Sequence, residues 1–335
     1  MSSTPTAEEI ARDARWLAQA LDPSAGAVRL IAMDRDSYRA ASFLDDRMLR
    51  QPLDAQVVPW PLVEQAMAGE LRQDARWIFH IGHVGSTLVS RLLGQVDGVL
   101  GVREPRLLRD LALSPPEVRA RYLQPAARLM SRTFADDETA CVKATSFASE
   151  IAADLVPPGE RALFMFATPR KYIASILAGE NSLKELHALA AVRNQRLQSR
   201  DIGFPAPRSD ADFAALAWAC EMTSLERAAD AMTDRQVAWA DFDLSLRNVE
   251  GELGRIAGEL ALAAPTEQLR SIAQGPLMRR YSKALEYDYS PELRRELIAD
   301  AERRHGHELR GALAMLRSVA EKSPLLARAL SRAED

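Results

Sequence analysis

The sequence predicts an α/β fold in which helices flank a doubly wound parallel sheet. Short apolar runs alternate with segments of helical periodicity four or five times between residues 77 and 262. The run at residues 162–167, Ala-Leu-Phe-Met-Phe-Ala, has no polar alternation, which is typical of a parallel strand covered on both faces. Folds of this class bind ligands beyond the carboxyl ends of their strands, so the residues that follow each apolar run are the first candidates for a site.

Residues 1–75 are predicted to form an N-terminal extension, and residues 76–335 the α/β domain. Within the extension, residues 7–21 have helical spacing and residues 27–33 form a short β-like run. The turn Pro59-Trp60-Pro61 precedes a helix predicted over residues 62–75. The extension contains no recognisable motif.

The first apolar run of the domain, residues 77–81, leads through a small-residue turn into a helical pattern. The turn reads Gly82-His83-Val84-Gly85-Ser86-Thr87. A strand that passes through a glycine turn into a helix directs backbone N–H groups and the positive end of the helix dipole at one point, which predicts a phosphate or sulfate site. The hydroxyls of Ser86 and Thr87 add donors there. The alternative is an ordinary tight turn between a strand and a helix.

This turn is not a Walker A loop. That motif places a lysine directly before the Ser/Thr that binds magnesium, and in this chain Gly85 precedes Ser86. An ATP-dependent kinase is therefore disfavoured.

The composition agrees with a soluble globular enzyme, with 47% hydrophobic and 27% charged residues. The net charge of −4 argues against electrostatic binding of nucleic acid or of an anionic membrane. No run approaches the roughly 20 apolar residues of a membrane span, and the N-terminus lacks the pattern of a signal peptide, so a cytoplasmic location is expected. Cys141 and Cys220 lie in apolar surroundings and are predicted to be packed thiols rather than disulfide or metal ligands.

Polar residues follow each of the other apolar runs. They are Arg103 and Glu104 after residues 99–102, Lys143 after residues 141–142, Arg170 and Ser175 after residues 162–167, and Asp241 after residues 237–240. Because the carboxyl ends of parallel strands meet at one edge of a sheet, these residues are expected to surround the glycine turn.

With these motifs the chain resembles the sulfotransferase superfamily, P-loop-like enzymes that use 3′-phosphoadenosine 5′-phosphosulfate (PAPS). The turn is similar to the family's 5′-phosphosulfate loop, whose usual form is Pro-Lys/Arg-Ser-Gly-Thr/Ser-Thr. Gly85, Ser86 and Thr87 match this form, and the resemblance implies that the loop from Gly82 to Thr87 binds the 5′-phosphosulfate. His83 stands where the family carries lysine or arginine, and a histidine supplies a positive charge only when it is protonated.

The resemblance also implies catalytic residues. The motif layout is nearest to the tyrosylprotein branch of the family, in which a glutamate at the place of Glu104 acts as the general base. A carboxylate that faces an anion loop can remove the acceptor proton. The alternative is a loop glutamate paired with Arg103 or Arg106. Lys143 would contact the transferred group and partly compensate for the missing basic residue at His83; the alternative is a lysine that faces solvent.

A third group of residues resembles the family's 3′-phosphate site. Ser175 matches the family's serine, whereas Ala167 stands where an arginine is expected, and Arg170 lies three residues further on. A basic loop before the last helices would close over the same phosphate, although such loops are usually only solvated. Its candidate ligands are Arg279, Arg280 and Lys283.

The function predicted from the sequence is PAPS-dependent transfer of a sulfuryl group to a hydroxyl, or less readily to an amine, without a metal. The partners expected are the nucleotide co-substrate and an unidentified acceptor, and no nucleic acid. One alternative is a phosphotransferase on a related fold, which would require ATP and magnesium. The other is a non-catalytic, nucleotide-binding descendant of the fold, which the departures at His83 and Ala167 favour.

Overall fold

The computed structural model describes residues 4–280 and 290–334. Its N-terminal part contains a three-stranded antiparallel sheet in the order β1-β2-β3, with strands β1 (Trp16–Asp22), β2 (Ala27–Ala32) and β3 (Ala55–Pro59). Helices α1 (Ala7–Arg12), α2 (Arg35–Ala40) and α3 (Trp60–Ala66) and a 3₁₀ helix (Asp46–Arg50) accompany this sheet. The buried side chains of the sheet belong to the same hydrophobic cluster as those of the following domain, and the division after residue 75 stays a prediction.

The helix predicted over residues 7–21 is wrong beyond Arg12. Thr6 and Glu9 form a capping box that starts α1, and Asp13, in an extended conformation, ends it. The Asp13 carboxylate accepts a hydrogen bond from the backbone N–H of Arg15 at 2.7 Å, a local bond that competes with helix continuation. The chain then enters β1 and pairs with β2, whereas the helix predicted over 62–75 is observed as the shorter α3.

The second sheet has five strands, all parallel, in the order β5-β6-β4-β7-β8. Its strands are β4 (Arg76–His80), β5 (Val99–Arg103), β6 (Thr139–Lys143), β7 (Arg161–Phe166) and β8 (Gln236–Asp241). The predicted α/β class with a parallel sheet is confirmed. The chain builds β5 and β6 on one side of β4 and then β7 and β8 on the other, so the crevice at the carboxyl end of β4 is a topological switch point.

Helices cover this sheet and extend to the C-terminus. They are α4 (Ser86–Leu93), α5 (Arg106–Leu113), α6 (Pro116–Met130), α7 (Ala152–Leu155), α8 (Pro169–Leu177), α9 (Glu180–Ala188), α10 (Ala190–Gln198), α11 (Asp210–Ala231), α12 (Phe242–Ser245), α13 (Val249–Glu259), α14 (Thr266–Ala273), α15 (Pro291–Arg304), α16 (Gly306–Ala320) and α17 (Pro324–Glu334), with 3₁₀ turns at Ser146–Ile151 and Pro276–Arg279. The long helix α11 is buried over most of its length and packs against α8, α10, α16 and α17.

Cys141 on β6 and Cys220 on α11 are both buried free thiols, as predicted. Burial raises the pKa of each thiol to about 12, so both stay protonated. Within residues 4–280 and 290–334, no helix combines the length and the apolar composition that crossing a membrane requires.

Candidate functional site

A cleft of about 960 Å³ opens at the carboxyl ends of the central strands. Its walls include the turn after β4, the residues after β5 and β6, and parts of α8, α9 and α15. One part of the wall was not expected from the sequence. Phe43 and residues 45–47, from the N-terminal part of the chain, also line the cleft.

The turn after β4 depends on glycine. Gly82, His83 and Gly85 have φ values of 81°, 55° and 62°, in the left-handed region that favours glycine. A Cβ atom on Gly85 would lie only 1.9 Å from the ring of Phe242. The glycine at position 85 is therefore required both by its backbone conformation and by the close approach of the aromatic ring.

The turn presents the N-terminus of α4 to the cleft. Gly85 is the N-cap residue, and no side chain caps the first turn of the helix. Ser86 and Thr87 are buried side chains that line the cleft. Unpaired backbone N–H groups of a first helical turn, together with two hydroxyls, suit a bound anion.

The other residues of the turn have different surroundings. The N–H of Gly82 donates to Nδ1 of His80 at 2.9 Å. His83 lines the cleft, and its ring packs edge-on against Tyr172 with 6.2 Å between centroids. Val84 is buried in the hydrophobic cluster, and its side chain is not part of the cleft wall.

The carboxylate of Glu104 and the ammonium of Lys143 form an ion pair in the cleft. Glu104 follows β5 and has a φ of 53°, an uncommon conformation for a residue other than glycine. Its backbone N–H donates to the carbonyl oxygen of Lys143 at 2.7 Å. Strained backbone conformations of this kind cluster at functional sites.

Three further side chains surround this ion pair. Oε1 of Glu104, which contacts Lys143, also lies 3.6 Å from Nε2 of His80. Oε2 lies 3.4 Å from Nη2 of Arg47, whose guanidinium stacks on the ring of Phe43. Both carboxylate oxygens of Glu104 therefore have partners that carry N–H groups.

The pKa of Glu104 lies below its ordinary value. Burial opposes ionisation and raises this pKa, but the Lys143 ammonium and the neighbouring His80 ring together outweigh burial and lower it. Glu104 consequently stays ionised at neutral pH.

The structure does not support the alternatives for these two residues. The side chain of Lys143 is only 1% exposed, so it does not face solvent. Arg103 donates to backbone carbonyls, including that of Ala41 at 2.8 Å, and Arg106 pairs with Asp46 and Asp110. Neither arginine is the partner of Glu104.

Only some of the residues predicted to bind the 3′-phosphate line the cleft. Ser175 lines the cleft, and its hydroxyl donates to the carbonyl oxygen of Tyr172 at 2.8 Å. Arg280 also lines the cleft, whereas Arg279 does not, and Arg170 is exposed outside it. Lys283 lies outside the described residues.

Phe242 and Arg294 also line the cleft and were not singled out from the sequence. Asp241, at the end of β8, caps α12 by accepting from the N–H of Leu244 at 3.0 Å. The guanidinium of Arg294, on α15, lies 5.0 Å from the centroid of the Phe242 ring and pairs with Asp243 at 3.3 Å. Phe242 could have been suspected from its place directly after a strand, but no sequence signal points to Arg294.

Among residues 4–280 and 290–334, no group of three or more His, Cys, Asp or Glu side chains is placed to hold a metal ion.

Comparison with known proteins gives remote similarity. No family model matches the sequence, and no curated protein matches it. The structure is similar to the "Sulfotransferase Domain from the Curacin Biosynthetic Pathway", at 10% identity and a TM-score of 0.40 over 67% of this chain and 86% of that one. It is also similar to mouse sulfotransferase SULT7A1 complexed with PAP, at 9% identity and a TM-score of 0.40 over 78% of this chain and 89% of that one. At this level of similarity, function has to be inferred from the residues of the cleft.

Proposed function

We propose that this protein transfers a sulfuryl group from PAPS to the hydroxyl, or less readily the amine, of an acceptor. One observation carries the proposal: the paired Glu104 carboxylate and Lys143 ammonium line the same cleft as the uncapped N-terminus of α4. An anion site, a buried cation and a carboxylate are the groups that sulfuryl transfer between two oxygen atoms requires.

In this proposal the first turn of α4 binds the 5′-phosphosulfate. The backbone N–H groups of the turn and the hydroxyls of Ser86 and Thr87 donate to its oxygens. Lys143, and His83 when protonated, offset the charge that develops on the leaving 5′-phosphate.

Glu104 is the proposed general base. The acceptor oxygen forms a bond to sulfur while the bond from sulfur to the 5′-phosphate oxygen breaks, and the acceptor proton passes to the Glu104 carboxylate. For this step one carboxylate oxygen must face the acceptor. Oε2 is the better candidate, because its partner Arg47 is 44% exposed and lies at 3.4 Å, whereas Oε1 contacts the buried Lys143.

The nucleotide is proposed to contact Ser175 and Arg280, and Phe242 and Arg294 line the same cleft. The predicted contacts of Arg170, Arg279 and Lys283 with the 3′-phosphate stay predictions. Ser175 and Arg280 are the stronger candidates, since both already line the cleft.

Binding of 3′,5′-adenosine diphosphate (PAP), compared with ATP and magnesium, tests this proposal. A ligand that binds only the folded protein raises its melting temperature, so PAP should stabilise the protein and ATP with magnesium should not. Stabilisation by ATP with magnesium alone would instead support the phosphotransferase alternative. Transfer from radiolabelled PAPS to components of a cell extract then separates an enzyme from a non-catalytic nucleotide-binding protein.

A further inference from the structure

We infer that His80 is a positioning residue that fixes the Glu104 carboxylate relative to the anion-binding turn. This inference deepens the proposed function, since it concerns the geometry of the proposed base. His80 is the last residue of β4, its side chain is 6% exposed, and it lies between the turn and Glu104 in the cleft wall.

The hydrogen bonds of His80 assign its tautomer. Nδ1 accepts from the N–H of Gly82 at 2.9 Å, so its lone pair is used and it carries no proton. The proton is then on Nε2, which lies 2.9 Å from the carbonyl oxygen of Ala144 and 3.6 Å from Oε1 of Glu104. The ring is thus a neutral bridge: Nδ1 accepts a hydrogen bond from the turn, and the Nε2–H donates to the carbonyl oxygen of Ala144 and faces Oε1 of Glu104 at 3.6 Å, beyond hydrogen-bond distance.

Each side of this bridge meets a residue with a left-handed backbone conformation. Gly82 has a φ of 81°, which glycine adopts without strain, whereas Glu104 has a φ of 53°, which is uncommon for a residue with a side chain. The conformation of Glu104 persists only where surrounding contacts hold it. Gly82 opens the turn that leads to the N-terminus of α4, and Glu104 follows a different strand, so one imidazole links the proposed donor site to the proposed base.

His80 also shares one oxygen of the Glu104 carboxylate with Lys143. Oε1 of Glu104 is shared by Lys143 and the Nε2–H side of His80. These two partners come from β6 and β4, the strands next to each other at the centre of the sheet. With Oε1 held from both strands, Oε2 is the oxygen turned toward the more exposed Arg47 and hence toward an incoming acceptor.

Two substitutions separate the two halves of the bridge. His80→Asn places an amide oxygen where Nδ1 lies, so it keeps an acceptor for Gly82 but does not reach Glu104. His80→Gln places an amide N–H near the position of Nε2, so it keeps a donor toward Glu104 but leaves the N–H of Gly82 without its acceptor. Each variant is the folding control for the other.

Amide hydrogen exchange of Gly82 tests the first half on the free protein. We expect protection in the wild type and in His80→Asn, and exchange at least about tenfold faster in His80→Gln. Affinity for PAP should follow the same order, with a loss of about tenfold only in His80→Gln. Wild-type exchange in His80→Gln would overturn the link to the turn.

Turnover tests the second half with an acceptor found by screening. His80→Asn should retain its PAP affinity but lose about 10²-fold in kcat, because the base is no longer held in position. Wild-type kcat in His80→Asn would overturn the positioning role and leave His80 as a buried structural residue. Failure of the proposed function would look different: the wild-type protein itself would neither bind PAP nor transfer sulfuryl, while the exchange contrast at Gly82 would still be measurable.

Discussion

The ring of Phe242 packs directly on the backbone of Gly85, so close that a Cβ on this glycine would lie 1.9 Å from it. The contact joins the start of α12, after the edge strand β8, to the turn that begins α4. The turn between β4 and α4 is therefore packed against an aromatic residue more than 150 residues further along the chain.

Gly85→Ala should destabilise the protein far more than Gly159→Ala. Both glycines have positive φ values, 62° and 81°, so both substitutions incur a similar backbone cost of about 1–3 kcal/mol. No atom lies within 4 Å of a Cβ built on Gly159, so only Gly85→Ala adds a clash with Phe242. Urea denaturation of the two variants measures the difference. Equal losses of stability would show that the contact with Phe242 relaxes at no cost.

Thr87→Ala should weaken PAP binding, whereas Ser90→Ala should not. Both hydroxyls are buried on α4, but Thr87 lines the cleft and Ser90 does not. Losing a hydrogen bond to a charged group costs about 1.5–3 kcal/mol, which calorimetric titration with PAP resolves easily. If both variants bind PAP with wild-type affinity, the first turn of α4 is not the phosphosulfate site.

Glu104→Gln should destabilise the protein at neutral pH by leaving the ammonium of Lys143 buried without its counter-charge. Breaking a buried ion pair in this way costs about 3–5 kcal/mol. Adding Lys143→Met removes the orphaned charge, so the double variant should recover much of the loss. The free energies of unfolding of the wild type, of Glu104→Gln, of Lys143→Met and of the double variant form a double-mutant cycle. Additive effects of the two substitutions would mean that the pair does not form in solution.

Acid should remove the stability that Glu104 provides. The folded-state pKa of Glu104 is lowered, so its contribution is fully present above the unfolded-state pKa, about 4.3, and is lost as the pH falls toward the folded-state value. The difference in unfolding free energy between the wild type and the Glu104→Gln/Lys143→Met double variant should therefore shrink as the pH falls below about 4. A difference that is constant from neutral pH to pH 3 would contradict a lowered pKa.

The sequence predicted the parallel sheet and the proximity of Glu104 to Lys143 for the same reason. Continuous apolar runs such as residues 162–167 identify strands buried on both faces, and the carboxyl ends of parallel strands meet at one edge. The pairing of Arg103 with Lys143 in the register of β5 and β6 then brings the next residue, Glu104, into the cleft. Apolar runs in the sequence and the rule that parallel strands end at one edge were sufficient to predict the sheet and the proximity of these two residues.

The contributions of His80 and Arg47 could not be predicted in this way. His80 lies inside an apolar run, and the role proposed for it depends on its buried position between Gly82 and Glu104. Arg47 is 57 residues away from Glu104 in sequence and belongs to a segment without motifs. The helix predicted beyond Arg12 failed for a related reason, since pairing with β2 overrides the helical periodicity of an alanine-rich segment.

His83→Arg should make turnover insensitive to alkaline pH if His83 neutralises charge on the leaving phosphate. A histidine changes its charge between about pH 5 and 8, so wild-type turnover should fall as the pH rises through this range. Arginine stays protonated and removes that alkaline limb, and its longer side chain projects into the cleft that His83 already lines. The loss of turnover at acid pH, which protonation of Glu104 causes, should occur at the same pH in both proteins. The substitution does not touch Lys143 or His80, the residues that lower the pKa of Glu104. The pH dependence of kcat for the two proteins, with an acceptor identified by screening, checks both statements. If the alkaline limb is the same in both, His83 is not the cation at the leaving group, and Lys143, buried beside Glu104, takes that role alone.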